Sequence, residues 1–386
     1  GMRLLAAPLL VAGVVGPVAP RYVEFPRFNA FRDAEESLAF FEENGFAVYE
    51  AADKQEVAKA RDLFWDFVEG LGTGISRADP STWTDERWPT TRTHTGLLTF
   101  FGWGQSDFMW YLRGLPKVRA AFANIWGTEE LLVSFDGAAA LRFQDPHLHV
   151  SEDYWWHVDQ SVRSQPSFDC VQGVVQLTET LPELGGFVVI PGSHRFYPQY
   201  YEERYGKLLD MLDPERLHFS VPLWDEVAQD QLADVAVQPR LRAGDIVVWN
   251  STTLHCNFVG TEFGTFGKPH GRNRTRIGLG RLGAYVAMAP RAKASEEVLR
   301  QRKEAVCQGV TTTHWPHRFV VSEEHNADTW RHLGESHQKR FRPPPTRDLH
   351  VEHLQLAGFD REELAAMAAA EGERFRCDGL GGLQRD

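Results

Sequence analysis

AGDIVVWNSTTLHCN, residues 243–257, reads as a turn, a strand and then a histidine. Gly244-Asp245 supplies the turn, and the run from Ile246 to Trp249 is apolar and rich in β-branched residues. That is the punctuation of a short buried strand. GGFVVIPGSH (185–194) has the same form: a glycine turn, an apolar strand and a Pro-Gly turn. Working outward, LLVSF (131–135), AALRF (139–143), CVQGVVQL (170–177) and IGLGRLGAYVAM (277–288) are further apolar runs bounded by Gly, Pro, Asp or Asn. Several strands at such spacing predict a sandwich or barrel.

The flanks follow a different period. Residues 33–44 and 53–71 place apolar side chains at helical spacing, with Val57, Leu63, Phe64, Phe67 and Val68 on one side of the second segment. Two shorter helices are expected at 106–114 and 115–127, ending at Gly114 and Gly127. Helix returns at 295–307 and near 360–372. The expected organisation is a single domain over 1–386, mainly β with α. It has a mostly helical N-terminal layer (1–130), a β-core (131–290) with a charged insert at 200–232, and a C-terminal cover (291–386).

Composition excludes several classes. Apolar residues are 42% and charged residues 24% of the 386, values of a folded globular chain and not of a disordered one. The formal net charge is −12, which argues against a nucleic-acid partner, since phosphate binding calls for a basic face. Residues 329–347 gather several Arg and Lys but are broken by Glu335 and prolines, and read as a solvated loop. An apolar stretch at 4–19 has the length of a signal-peptide core. A buried N-terminal strand is the preferred reading, with a cytoplasmic placement and no membrane partner. Cys170, Cys256, Cys307 and Cys377 form no metal-binding pair, and reduced thiols are expected.

His157-Val158-Asp159 lies in YWWHVDQS. In an extended segment, residues i and i+2 point to the same side, so imidazole and carboxylate face one point. With His255 they make a 2-His-1-carboxylate set, the ligand pattern that leaves positions open at a non-haem Fe(II). Other histidines compete less well. His147 and His149 have the right parity without the flanking strands, His194 sits in the PGSH turn, and His314 and His317 are separated by Pro316. Gln144 and Gln160 lie close enough to the ligand strands to support them, and Trp155 or Trp156 could wall a substrate chamber.

The order HxD, GGFVVIPGSH, GDIVVWN with a histidine five residues on, and then an arginine at the start of a glycine-spaced strand resembles the phytanoyl-CoA dioxygenase family of Fe(II)/2-oxoglutarate oxygenases. The resemblance covers about 157–286, and the opening helix–strand–helix is also similar to that family. It implies a double-stranded β-helix, a jelly-roll or cupin-like barrel with helices outside. It implies Fe(II), 2-oxoglutarate and O2 as the reacting groups. His157, Asp159 and His255 would be the metal ligands, and Arg276 would pair with the distal carboxylate of 2-oxoglutarate, with Asn257 nearby. The gap from His255 to Arg276 is longer than the family pattern because of the glycine-rich stretch 260–271. Arg274 and Arg281 are therefore alternatives, with Arg281 expected on the opposite strand face from Arg276. An aspartate at 159 resembles hydroxylases and not halogenases. The expected reaction is hydroxylation of a small organic substrate with release of succinate and CO2. The alternatives are a cupin-like oxygenase that does not use 2-oxoglutarate, or a non-catalytic binding module on the same barrel.

Overall fold

The structure is a computed structural model. It describes residues 20–84, 86–89, 96–99, 101–143, 155–164, 167–213, 216–258, 278–321, 349–371 and 374–375. The apolar stretch at 4–19 and the basic run at 329–347 lie outside the described residues.

Two sheets carry the architecture. From the N-terminus the elements are β1 (Arg21–Val23), β2 (Arg27–Phe28), α1 (Ala34–Asn44), β3 (Phe46–Glu50), α2 (Lys54–Gly70), β4 (Leu97–Leu98), α3 (Asp107–Gly114), α4 (Pro116–Trp126), β5 (Leu131–Val133) and β6 (Ala138–Arg142). The ligand-bearing half follows: β7 (His157–Val158), β8 (Val171–Gln176), β9 (Gly186–Val189), α5 (Tyr197–Leu209), β10 (Phe219–Ser220), α6 (Glu226–Val235), β11 (Val237–Pro239), β12 (Asp245–Asn250), β13 (His255–Phe258) and β14 (Leu279–Pro290). The cover consists of α7 (Glu296–Gln308), β15 (Leu349–His350), α8 (Val351–Ala357), α9 (Arg361–Glu371) and β16 (Arg374–Phe375). The larger sheet has the order β2-β3-β12-β8-β14-β6-β4, with β5 also on β14, and the smaller has β1-β11-β9-β13-β7-β10.

Period-two alternation decides which side chains meet. Between the sheets lie Phe46 and Val48 of β3, Val174 of β8 and Val247 and Trp249 of β12, packed on Phe187 and Val189 of β9 and Val237 of β11. The alternate residues Val171, Val175, Ile246, Val248, Leu282, Ala284 and Val286 face outward and pack beneath α1–α4. The outer face of the small sheet, with Val158, Val188 and Cys256, is covered by Tyr197, Tyr201 and Tyr205 of α5 and by Ala228 and Leu232 of α6. The expected jelly-roll core with helices outside is therefore present, with its two sheets face to face. The insert, expected at 200–232, runs from α5 through α6.

Local chemistry fixes the ends. Asp53 caps α2 by accepting from the backbone N–H of Gln55 and Glu56, and Glu56 returns the bond to Asp53 N–H. Asp33 precedes α1 but makes no side-chain cap; its carboxylate accepts instead from Asn29 N–H at 2.7 Å. The fully buried Asp245 opening β12 accepts two bonds from Arg27 Nε and one at 2.6 Å from its Nη2. Arg27 begins β2, which runs parallel to β3, so this ion pair ties the sheet edge to the central strand. No helix among the described residues is long and apolar enough to cross a membrane. Cys170 and Cys256 are free and buried, but Cys307 is disulfide-bonded, so the expectation of reduced thiols fails there. Spacing alone does not reveal such a bond.

Gly244, in the turn before β12, has φ +100°, and its carbonyl accepts from both Ala51 and Ala52 N–H. A Cβ there would sit 2.2 Å from the Ala52 carbonyl oxygen. Gly127 is also left-handed, at φ +67°, but has open space around it. Gly127→Ala should therefore cost only the intrinsic penalty of about 1–2 kcal/mol. Gly244→Ala should lower the calorimetric melting midpoint by at least twice as much, because backbone must also shift.

Candidate metal and cosubstrate site

His157 and His255 are directly opposite one another on antiparallel strands β7 and β13. Their ring centroids are 4.2 Å apart, as expected for neighbours across a ladder. Each imidazole is oriented by its own chain. His157 Nδ1 bonds the Trp155 carbonyl at 2.8 Å, and His255 Nδ1 bonds the Thr253 carbonyl at 2.8 Å. A carbonyl only accepts, so both Nδ1 atoms carry the proton and both Nε2 lone pairs are free. Those lone pairs converge on one oxygen. Asp159 Oδ2 lies 3.6 Å from His157 Nε2 and 3.2 Å from His255 Nε2. The three ligand-capable atoms lie within 4.8 Å of one another, and all three residues are buried. Trp155, stacked on His157 at 4.5 Å with 10° between the planes, bonds through its indole N–H to the Asn257 carbonyl.

Asp159 is held from three sides. Its backbone N–H donates to the Ser251 carbonyl at 2.9 Å. Gln172 Nε2 donates to Oδ2 at 2.9 Å and to Ser251 Oγ at 3.2 Å. His218 Nδ1 bonds Oδ1 at 3.0 Å. Burial alone would raise the carboxyl pKa; the neighbouring His157 and His314, with the hydrogen bond from His218, hold it well below the usual range. The group is therefore a carboxylate throughout the physiological range, as metal ligation requires. His314 is itself buried, and that burial lowers its pKa.

Arg281 is the one of the three arginine candidates that lies among the described residues. Leu282, Ala284 and Val286 of β14 pack under the helices, whereas Tyr285 packs between the sheets. Arg281 shares the parity of Tyr285, and the register of β14 on β6 is regular from Arg281 to Ala284. Its guanidinium thus turns toward the interior between the sheets. Gly278 has φ +135° and the register shifts between Leu279 and Arg281, so a simple parity count does not run through the start of this strand. Arg276 and Arg274 lie outside the described residues. Arg281 is 4% exposed, donates from Nη1 to the Phe258 carbonyl at 3.1 Å, and faces no carboxylate partner among the described residues. Burial lowers its pKa, with Tyr285 opposing the effect. Asn257, on the same face of β13 as His255, donates from Nδ2 to Tyr285 Oη at 3.2 Å. Gln176 Oε1, also buried, has no partner among the described residues.

The remaining candidates do other work. Gln160 is buried and its amide donates to the Ser167 carbonyl. His194 is structural as expected, bonding the Glu42 carbonyl at 3.0 Å. His317 lies 3.4 Å from Asp169, in an ion-pair cluster with Lys293 and Arg318. Trp156 is fully buried under α5. Gln144, His147 and His149 lie outside the described residues. Gln172 and Gln176 were missed, although two glutamines sharing one parity within an apolar strand are a readable signal. His218 left no such signal.

The chain matches the phytanoyl-CoA dioxygenase family over residues 41–256. It belongs to that family. The match spans α1 through β13 and includes the whole 2-His-1-carboxylate set. Among relatives, the Ava biosynthesis cluster protein O of Aspergillus versicolor is 26% identical over 68% of this chain and 80% of its own length. A putative phytanoyl-CoA dioxygenase of Dictyostelium discoideum is 21% identical over 58% of this chain and 70% of its own length. Among solved structures, EctD from S. alaskensis with 2-oxoglutarate and 5-hydroxyectoine aligns at TM-score 0.42 and 17% identity, covering 76% of this chain and 87% of that one. The non-haem α-ketoglutarate-dependent carbocyclase SnoK from nogalamycin biosynthesis aligns at 0.39 and 17%, covering 68% and 87%. The protein is an oxidoreductase, a non-haem Fe(II)- and 2-oxoglutarate-dependent dioxygenase.

Removing the carboxylate should separate metal binding from folding. Asp159→Ala leaves the Gln172 and His218 donors unpaired, at about 1–3 kcal/mol, but also removes a buried charge. The melting transition should stay cooperative and move by only a few degrees. Isothermal titration with Co(II) should show affinity falling at least 100-fold; retained affinity would exclude Asp159 as a ligand.

Proposed function

We propose that the protein hydroxylates a small organic substrate, with His157, Asp159 and His255 holding iron and Arg281 holding the distal carboxylate of 2-oxoglutarate. The observation that carries this reading is the buried Arg281 guanidinium, which faces the same interior as the 2-His-1-carboxylate set and lacks a carboxylate partner among the described residues. A buried charge without compensation is expensive, and arginine stays charged even there. An anionic ligand offers compensation through two parallel hydrogen bonds. A cupin-like oxygenase independent of 2-oxoglutarate would have no use for such a cation. Arg281 thus takes the role that the resemblance gave to Arg276.

The donor set fits iron: two neutral imidazoles through Nε2 and one carboxylate, with positions left open. Bound iron supplies the activation of O2, coupled to conversion of 2-oxoglutarate to succinate and CO2. The protein supplies position and dryness. The Trp155 and Thr253 carbonyls lock the imidazole tautomers. Gln172 steadies Asp159. Asn257 and Tyr285, bonded to each other beside Arg281, offer an amide and a hydroxyl to the same cosubstrate. Phe187 and Trp249, 5.8 and 5.2 Å from the His255 ring, keep water from the inner side. Membership of a biosynthesis cluster by the Aspergillus relative supports a small molecule as substrate.

Truncating one partner of a desolvated pair costs on the order of 2–5 kcal/mol. Arg281→Met should therefore raise the 2-oxoglutarate dissociation constant roughly 30-fold or more, measured anaerobically with Fe(II) present. Fe(II) affinity should remain, because no ligand is touched. If Arg276→Met has that effect and Arg281→Met does not, the anchor is Arg276. If neither does, neither Arg276 nor Arg281 is the anchor.

A further inference from the structure

We infer that His218, carried by the insert between β9 and β11, is a positioning residue that withholds one oxygen of Asp159 from the metal. This rests on the metal-site reading above. The two oxygens of Asp159 have separate environments. Oδ2 faces both free Nε2 atoms, at 3.2 and 3.6 Å. Oδ1 points away and is bonded by His218 Nδ1 at 3.0 Å. A carboxylate only accepts, so Nδ1 is the protonated nitrogen. The other ring nitrogen, Nε2, is 2.9 Å from Ser220 Oγ, which fixes the ring plane.

The insert's register sets this geometry. β10 pairs antiparallel with β7, with Ser220 opposite His157 and Phe219 opposite Val158. Phe219 is buried against Tyr201 and Tyr205 of α5, at 4.8 and 6.1 Å between ring centroids. The packed phenylalanine and the paired serine leave His218 at the strand entrance, with its ring 4.9 Å from that of His157. The side chain is 40% exposed, so its burial cannot explain its position; its two polar bonds do. An aspartate free to rotate could offer both oxygens to one ion. It would then take a position that the bidentate end of 2-oxoglutarate needs. With Oδ1 engaged by His218, only Oδ2 is available and the set stays open.

The test uses the full chain loaded with Co(II), whose visible spectrum reports ligand number, followed by titration with 2-oxoglutarate. In His218→Ala the Co(II) spectrum should change before 2-oxoglutarate is added, and the 2-oxoglutarate dissociation constant should rise about 10-fold. His218→Asn, which keeps an N–H donor, should restore much of both. Ser220→Ala, which frees the ring while keeping the bond to Asp159, should shift the spectrum in the same direction but less, and it serves as the test if His218→Ala does not fold. A folded His218→Ala with wild-type spectrum and wild-type 2-oxoglutarate affinity would overturn the assignment. If the wild-type Co(II) protein binds no 2-oxoglutarate, the cosubstrate reading fails, while the spectral comparison still decides the role of His218.

Discussion

The pairing of β7 with β13 is the contact on which the site depends. It sets His157 opposite His255 on one sheet face, and period-two alternation sends Asp159 to that same side. The orientation of each ring then follows from chain geometry, since the carbonyl two residues earlier accepts the Nδ1 proton. A one-residue slip between these strands would turn one imidazole to the outer face, where α5 and α6 pack. The register is held by more than backbone bonds. Phe187 and Val189 on β9 and Trp249 on β12 fill the space between the sheets, and any slip would bring polar residues into that layer.

Among the buried charged groups, Asp159 and Arg281 differ in how they are compensated, whereas Arg302 donates to four backbone carbonyls. Asp159 is compensated by Gln172, His218 and the nearby imidazoles, which outweigh the effect of burial. Arg281 has one carbonyl and little else among the described residues. Such asymmetry is uneconomical for a purely structural core, where buried charges are paired. It fits the proposal that an anion binds Arg281 while a metal cation binds beside Asp159.

The layers outside the sheets contribute unequally. α1–α4 cover the large sheet and supply most of the apolar burial, with Phe64, Trp103 and Phe108 in mutual contact at 5.5–6.3 Å. The insert covers the small sheet and also reaches the site, through β10. One element thereby buries the back of the ligand strands and orders the carboxylate at their front. The family match ends at residue 256, so the strand bearing Arg281 lies beyond it.

Much of this was legible in the sequence because it is local. Strand runs between glycines, the capped helix at 54–70 and the shared side of His157 and Asp159 follow from backbone periodicity over a few residues. The third member of the candidate set, His255, was legible because its strand has the same punctuation as the others. What required the tertiary structure is non-local. The inward face of Arg281 follows a register shift and a left-handed Gly278, which sequence period does not announce. His218 reaches Asp159 across 59 positions, through a strand of two residues that no periodicity could announce. Sequence period determines which face a side chain takes within one element. Which elements share that face is decided by packing between sheets, and a short, irregular chain has too few residues to encode it locally.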